Sequence, residues 1–196
     1  MAPLGDGDRD RRWTCGQQSR HHGGVEPRYG PFRELVRLRS DLIQIRRAES
    51  GDAEALASIR RRAILALAVP AMSREQAERW ATRAAPDRVA RAIREHDVWV
   101  AVEAAAIGWV EVDRDRVAAL YVSPSCSCRG VGSALLTFAE TSIRSSGYPT
   151  ARLESSQNAL DCYLRRGYVR CGPADFDGAW PLRKDLAAAA DLSSPE

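Results

Sequence analysis

Apolar and polar positions follow a helical period in the first half of the chain and a strand period in the second. Leu42, Ile43 and Ile45 predict a short strand, and Ser50, Gly51 and Asp52 after it supply a turn and a helix N-cap. Leu56, Ile59, Ala63 and Leu67 then recur at helical spacing, with Arg60, Arg61 and Arg62 between them, up to Pro70. Ser73 and Gln76 form a capping box for a second helix that carries Trp80, and Pro86 opens a third short helix through Val89 and Ile93. From Asp97 the period becomes 2. Val98, Val100 and Val102 alternate with Trp99 and Ala101, and Ile107, Trp109 and Glu111 alternate with Gly108, Val110 and Val112. Val117 to Val122 is almost wholly apolar, so the three strands predict an antiparallel meander whose last member is buried on both faces.

Pro124 to Cys128 breaks that strand. Arg129-Gly130-Val131-Gly132-Ser133 then leads into a helix with Val131, Leu135, Phe138 and Ile143 on one face, closed by Gly147. A strand over 150–155, a helix from Asn158 to Gly167 and two closing strands, 168–171 and 180–186, complete the pattern. The sum is an α/β fold of the α+β kind, a mixed sheet, mostly antiparallel, flanked by helices. Residues 1–41 hold no sustained period and are expected to be a flexible extension, with a short helix over 33–42; 42–186 is the domain and 187–196 a fraying tail.

Composition narrows the classes. At 196 residues, 44% apolar and 28% charged, the chain is expected to fold as one domain with tails. Its most apolar stretch, 63–72, follows an arginine triplet and contains Pro70, far short of the roughly 20 apolar residues of a membrane span. The acidic and arginine-bearing N-terminus lacks the form of a secretory signal, so the expectation is a cytoplasmic protein without a membrane partner. The net charge of +3 sits entirely in residues 1–40, where eight arginines face five acids; the 21 basic and 21 acidic residues beyond cancel. No basic stripe remains, which argues against nucleic acid. Five cysteines, an odd number, argue against a disulfide framework, and Cys126-x-Cys128 has no second Cys or His pair at zinc spacing, so no metal site is expected. His96 reads as a surface residue at a helix end, and Cys126, Cys128 and Cys162 read as small packing residues.

The glycine loop carries the strongest chemical signal. The first N–H groups of a helix lack internal acceptors and the dipole places partial positive charge there, so phosphate binds where glycines let it approach. Arg129 adds a cation. A Walker A loop is excluded because no Lys follows either glycine. A dinucleotide G-x-G-x-x-G begins at Gly130, and Glu154 ends the next strand where a ribose-binding acid belongs, but Leu135 takes the third glycine position. The strand before the loop also ends a hairpin meander instead of opening a βαβ unit.

Asn158-Ala159-Leu160-Asp161-Cys162-Tyr163-Leu164-Arg165-Arg166-Gly167-Tyr168 resembles the N-A-x-x-[FC]-Y-x-x-x-G-[FY] segment of the GNAT superfamily of N-acetyltransferases. Leu120-Tyr121-Val122-x-Pro124 and the Gly130-x-Gly132 loop match in order and spacing, and the resemblance covers roughly 43–186. It departs at the family's [QR]-x-x-G-x-[GA] pattern: Ser127 stands in the Gln/Arg position and Cys128 replaces a frequent glycine.

The resemblance implies acetyl-CoA as cosubstrate, with its pyrophosphate over the amides of Ser127, Cys128, Arg129, Gly130, Val131, Gly132 and Ser133, and its pantetheine along the strand edge at Leu120, Tyr121 and Val122. It implies that a main-chain N–H near Val122 polarises the thioester carbonyl, that Asn158 bonds the pantetheine arm, and that Tyr163 protonates the leaving thiolate. The amine needs a base, and Glu154 and Glu111 are the candidates, Glu154 standing between the two motifs. The acceptor, a primary amine of a small molecule or peptide, would meet the first helices over 64–80, where Met72 and Trp80 lie. Two alternatives stay open: a non-catalytic CoA-binding module of the same fold, which Ser127 favours, and a nicotinamide-dependent oxidoreductase. A homodimer is one assembly open to such a chain.

Overall fold

The computed structural model describes residues 33–38, 41–67, 73–82, 87–176 and 178–186. Eight strands form one sheet: β1 (Arg33–Leu38), β2 (Asp41–Arg47), β3 (Asp97–Val102), β4 (Ala106–Asp113), β5 (Arg116–Val122), β6 (Thr150–Ser155), β7 (Val169–Arg170) and β8 (Trp180–Asp185). Their order is β1-β2-β3-β4-β5-β6-β8-β7, and of these pairings β5–β6 alone is parallel. Five helices flank the sheet: α1 (Ala53–Leu67), α2 (Arg74–Thr82), α3 (Arg88–Glu95), α4 (Val131–Ser145) and α5 (Leu160–Leu164).

Strand alternation decides which face each helix covers. Val98 and Val100 of β3 and Trp109 of β4 pack with Leu56 and Ile59 of α1 and Val89 and Ala92 of α3. Trp99 and Ala101 point the other way, into a core shared with Val131, Leu135, Phe138 and Ile143 of α4 and Leu160 of α5. The helical face expected of α4 is therefore the face it buries. The Trp109 indole N–H, fully enclosed, is satisfied by the Leu56 carbonyl at 3.0 Å, which ties β4 to α1. Ser73 accepts the Ala77 N–H at 2.9 Å and so starts α2, while Pro70, Met72 and Pro86 lie outside the described residues.

Three expectations are corrected. The helix expected over 33–42 is instead a hairpin: β1 pairs antiparallel with β2 in continuous register from Arg33↔Arg46 to Leu38↔Asp41. A paired β2 edge satisfies backbone groups that a helix would leave to water, and no helical period opposed it. Second, β5 is not the strand buried on both faces. Buried runs belong to β3 and β4 at the middle of the sheet, whereas Leu120, Tyr121 and Val122 are half-exposed because β5 loses a neighbour there. Third, β5 both closes the meander and opens a parallel strand-helix-strand unit through α4 to β6, one edge serving each role.

Candidate functional site

The loss of that neighbour makes the site. β5 and β6 pair only at Arg116↔Arg152 and Val117↔Leu153, then diverge, while β5 stays paired with β4 as far as Val122↔Gly108. Ala118 has no opposite on β4, where the register slips between Glu111 and Val112, a bulge that adds bend to β5 as it leaves β6. Direction then follows from alternation. The Ser123 N–H points to β4 and is donated to Ile107 O at 2.8 Å, so the main-chain groups of Val122 and Leu120 turn the opposite way, into the gap. The gap is lined by a strand edge with its donors and acceptors presented.

At its mouth lies the N-terminus of α4. A turn of 3-10 helix over Pro124–Cys126 ends β5, and the backbone then takes the left-handed conformation at Cys128 (φ 61°) and Gly130 (φ 88°). Ala134 N–H to Gly130 O, 3.0 Å, is the first bond of α4, so the amides of Val131, Gly132 and Ser133 precede any intrahelical acceptor. A Cβ at Gly132 would stand 3.4 Å from Val122 Cγ2 and 3.7 Å from Leu120 Cδ2, which measures how closely this helix end approaches the strand. Beneath it Gly108 is closely packed: a Cβ there would lie 3.1 Å from Leu135 Cδ1 and from the Tyr121 carbonyl. Donor amides, an open strand edge and close glycine packing together fit an extended ligand with a pyrophosphate at one end.

Two side chains of this loop are engaged within the chain. The Ser127 hydroxyl donates to Pro124 O at 2.8 Å, and Arg129 reaches across to Glu103 in the β3–β4 turn, Nη2 to Oε1 at 2.6 Å. Cys126 is buried as expected, but Cys128 and Cys162 are exposed and not packing residues. The loop bends away from the core at Cys128, and Cys162 occupies the outer side of α5.

Tyr163, on α5, is half-buried against the α4 core, with its ring edge-on to Tyr168 at 5.7 Å. Burial pushes its hydroxyl up to about 12, and the nearby Cys162 and Tyr121 add to the shift. It is thus a protonated phenol at any neutral pH. Asn158 lies exposed on the turn ahead of α5. Tyr121 points to the opposite face, its ring 5.4 Å from Trp109 and 5.8 Å beneath the Arg60 guanidinium, against Ile64, Ala77 and Ala81 of α1 and α2. Arg60 also donates to Ala81 O at 3.1 Å and joins the two helices over that wall. Met72 and the Trp80 side chain, expected there, lie outside the described residues.

The two carboxylates have different settings. Glu154 is exposed on the β6 face opposite α4, one residue beyond the last β5–β6 pair, with Oε2 3.1 Å from Arg116 Nη2. Glu111 is buried beneath α3, Oε2 2.8 Å from Arg88 and Oε1 2.7 Å from His96 Nδ1, so both oxygens are engaged. His96 is therefore a half-buried partner of Glu111 and not the free surface residue expected: the end of α3 carries its ring onto β4. A cavity of about 130 Å³ over this cluster, lined by Arg88, Arg91, His96 and Glu111 among others, is on the α3 side and separate from the gap. Glu103, Arg60 and Arg88 escaped the sequence reading because a charged residue in a turn or on a helix has no pattern that names its partner. Among the described residues no cluster of three His, Cys, Asp or Glu side chains is placed for a metal, and no helix is long and apolar enough to cross a membrane.

Comparison with known proteins agrees with this geometry. A family model described as an acetyltransferase (GNAT) domain matches residues 68–180. Among solved structures, a GCN5-related N-acetyltransferase from Rhodopseudomonas palustris is 25% identical, with a TM-score of 0.66 over 72% of this chain and 94% of that one. PaiA N-acetyltransferase from Thermoplasma acidophilum, solved in complex with coenzyme A, is 21% identical, with a TM-score of 0.65 over 73% and 98% of the two chains. The apo form of YjaB from Escherichia coli is 25% identical, with a TM-score of 0.53 over 72% and 94%. No curated protein matches the chain.

Proposed function

This chain belongs to the GNAT acetyltransferase family, and on that premise we propose that it transfers the acetyl group of acetyl-CoA directly to a primary amine of a small molecule or peptide. The observation that carries the reading is the β5–β6 gap with the α4 amides at its mouth and the Tyr163 phenol on the helix that follows β6. Acetyl-CoA supplies an activated thioester; this chain's residues orient it and manage charge and protons.

The amides from Cys128 to Ser133 hold the pyrophosphate, the Ser127 N–H being already donated to Pro124 O at 3.3 Å, and the inward main chain of Leu120 and Val122 pairs with the pantetheine, with Asn158 on its far side. The Val122 N–H is preorganised to stabilise negative charge developing on the acetyl oxygen. Tyr163 gives its proton to the departing thiolate, whose conjugate acid has a pKa of about 8.5. Glu154 takes the amine proton: it stands on the face that Tyr121 shares, across the gap, with one carboxylate oxygen outside the Arg116 contact. Glu111 is left to a structural role by the Arg88 ion pair and the His96 hydrogen bond that engage its two oxygens. On this reading the catalytic domain is 42–186, with β1 paired onto its edge, and the cytoplasm is its compartment.

A thiol-release assay with acetyl-CoA and a panel of primary amines tests this. Amine-dependent release that Tyr163→Phe slows supports the reading. Binding of CoA without release for any amine would transfer it to the non-catalytic module, the alternative that Ser127, its hydroxyl bonded to Pro124 O, favours.

A further inference from the structure

Arg129 is the single charged residue between Ser123 and Ser133, and Ser127 stands where the family pattern has Gln or Arg. Any cationic help that this loop gives to a pyrophosphate must come from Arg129. Yet its guanidinium is already engaged: Nη2 lies 2.6 Å and Nη1 3.4 Å from the Glu103 carboxylate, and Nη1 is 3.5 Å from Cys126 Sγ. Glu103 is itself fixed, its N–H bonded to Ala105 O at 3.1 Å in the tight β3–β4 turn.

We propose that Glu103 is a positioning residue that competes with the cofactor's pyrophosphate for Arg129 and thereby sets CoA affinity; this rests on the acetyl-CoA reading of the loop. Two arguments support it. Both side chains are about one-third exposed, so the pair is weak enough to exchange for a doubly charged phosphate group. A carboxylate held this close to Arg129 also repels a phosphate arriving at the same cation, so it lowers affinity even where the two anions share the guanidinium. The consequence is kinetic. Acetyl-CoA and product CoA carry the same pyrophosphate, so a loop that grips it less firmly releases product sooner.

Calorimetric titration of CoA into the full chain tests the proposal with Glu103→Gln, Arg129→Gln and the double variant, each shown by its melt to be folded. Glu103→Gln is expected to bind CoA roughly three- to fivefold tighter, the factor an ion pair of this exposure is worth. The gain should shrink with added salt, which a purely structural role of the turn would not produce, and should vanish in the Arg129→Gln background. Unchanged or weaker binding by Glu103→Gln, or a gain that persists without Arg129, overturns it. If the folded wild-type chain binds no CoA, the acetyl-CoA reading itself fails; if the wild type binds and only the gain is missing, Glu103 alone loses its role.

Discussion

Val117 and Leu153 are the last pair that holds β5 to β6, and beyond them the edge of β5 has no strand partner among the described residues as far as Val122. Parallel strands that part in this way expose main-chain groups in the middle of a sheet, where they are otherwise used up. The start of α4 lies against that edge, where a Cβ at Gly132 would stand 3.4 Å from Val122 Cγ2. The candidate site therefore begins with a pairing that stops after two residues.

Tyr163 can donate a proton and cannot serve as a base near neutrality, because burial holds its hydroxyl up to about 12. Tyr163→Phe should lower kcat by about tenfold or more while leaving KM for acetyl-CoA nearly unchanged. Equal kcat in steady-state assays removes the role. The same shift bears on stability. A phenol raised in the folded state contributes stability that is complete below about 10, the unfolded value, and is lost as pH rises toward the folded one. Tyr168, raised in the same direction by burial and by Glu140, acts likewise. Unfolding free energy should thus fall above pH ~10 by about 1.4 kcal/mol per pH unit for each tyrosine, and less steeply in Tyr163→Phe.

Glu154 and Glu111 should separate cleanly. Glu154→Gln touches an exposed side chain and should lower turnover, with the basic limb of the pH profile changed and the melting temperature kept. Glu111→Gln leaves Arg88 and His96 facing a neutral partner beneath α3, and should cost about 1–3 kcal/mol in denaturant unfolding. Reversal of that pattern would move the base to Glu111.

Gly108 acts on the site from beneath. A Cβ there would crowd neighbours that give little, since Leu135 and Val131 are fully enclosed and the Tyr121 carbonyl is main chain. Gly108→Ala should cost about 1–3 kcal/mol and weaken CoA binding by shifting the start of α4 from β5. Gly132→Ala meets side chains at ordinary contact distance and should fold as well as the wild type. Comparable melts for the two variants would show that α4 is not held as closely as Gly108 implies.

Cys128 holds φ 61° without being a glycine. Left-handed backbone costs a side-chain-bearing residue about 1–2 kcal/mol, of which glycine's extra unfolded-state entropy returns part. Cys128→Gly should therefore raise stability by about 0.5–1 kcal/mol and leave CoA binding intact; a lower melting temperature would contradict this.

Much of this was legible in the sequence. The periods of 2 and 3.6 placed β3, β4, β5, β6 and α1 to α4 within a few residues, because each buries one face and that burial is written in alternation. The N-A-x-x-C-Y segment and the glycine pair marked the family, since both impose residue types at fixed spacing. Pairing was less legible. Nothing in Arg33–Leu38 distinguishes a strand from a helix until β2 is known as its partner, and the parting of β5 from β6 depends on register, which no local pattern records. Long-range polar contacts such as Arg129–Glu103 and His96–Glu111 were invisible for the same reason: they join residues 26 and 15 positions apart through the fold.

The most direct measurement is a thermal melt of the wild-type chain and of Gly130→Glu with acetyl-CoA, CoA or NADH. A ligand that binds only the folded state raises the midpoint in step with its excess over Kd. The wild type should shift with acetyl-CoA and CoA and not with NADH. Gly130→Glu, which places a carboxylate among the loop amides at a left-handed position, should start from a lower midpoint and shift with none. A wild-type shift with NADH alone, or a CoA shift undiminished in Gly130→Glu, would contradict the placement of the cofactor on this loop.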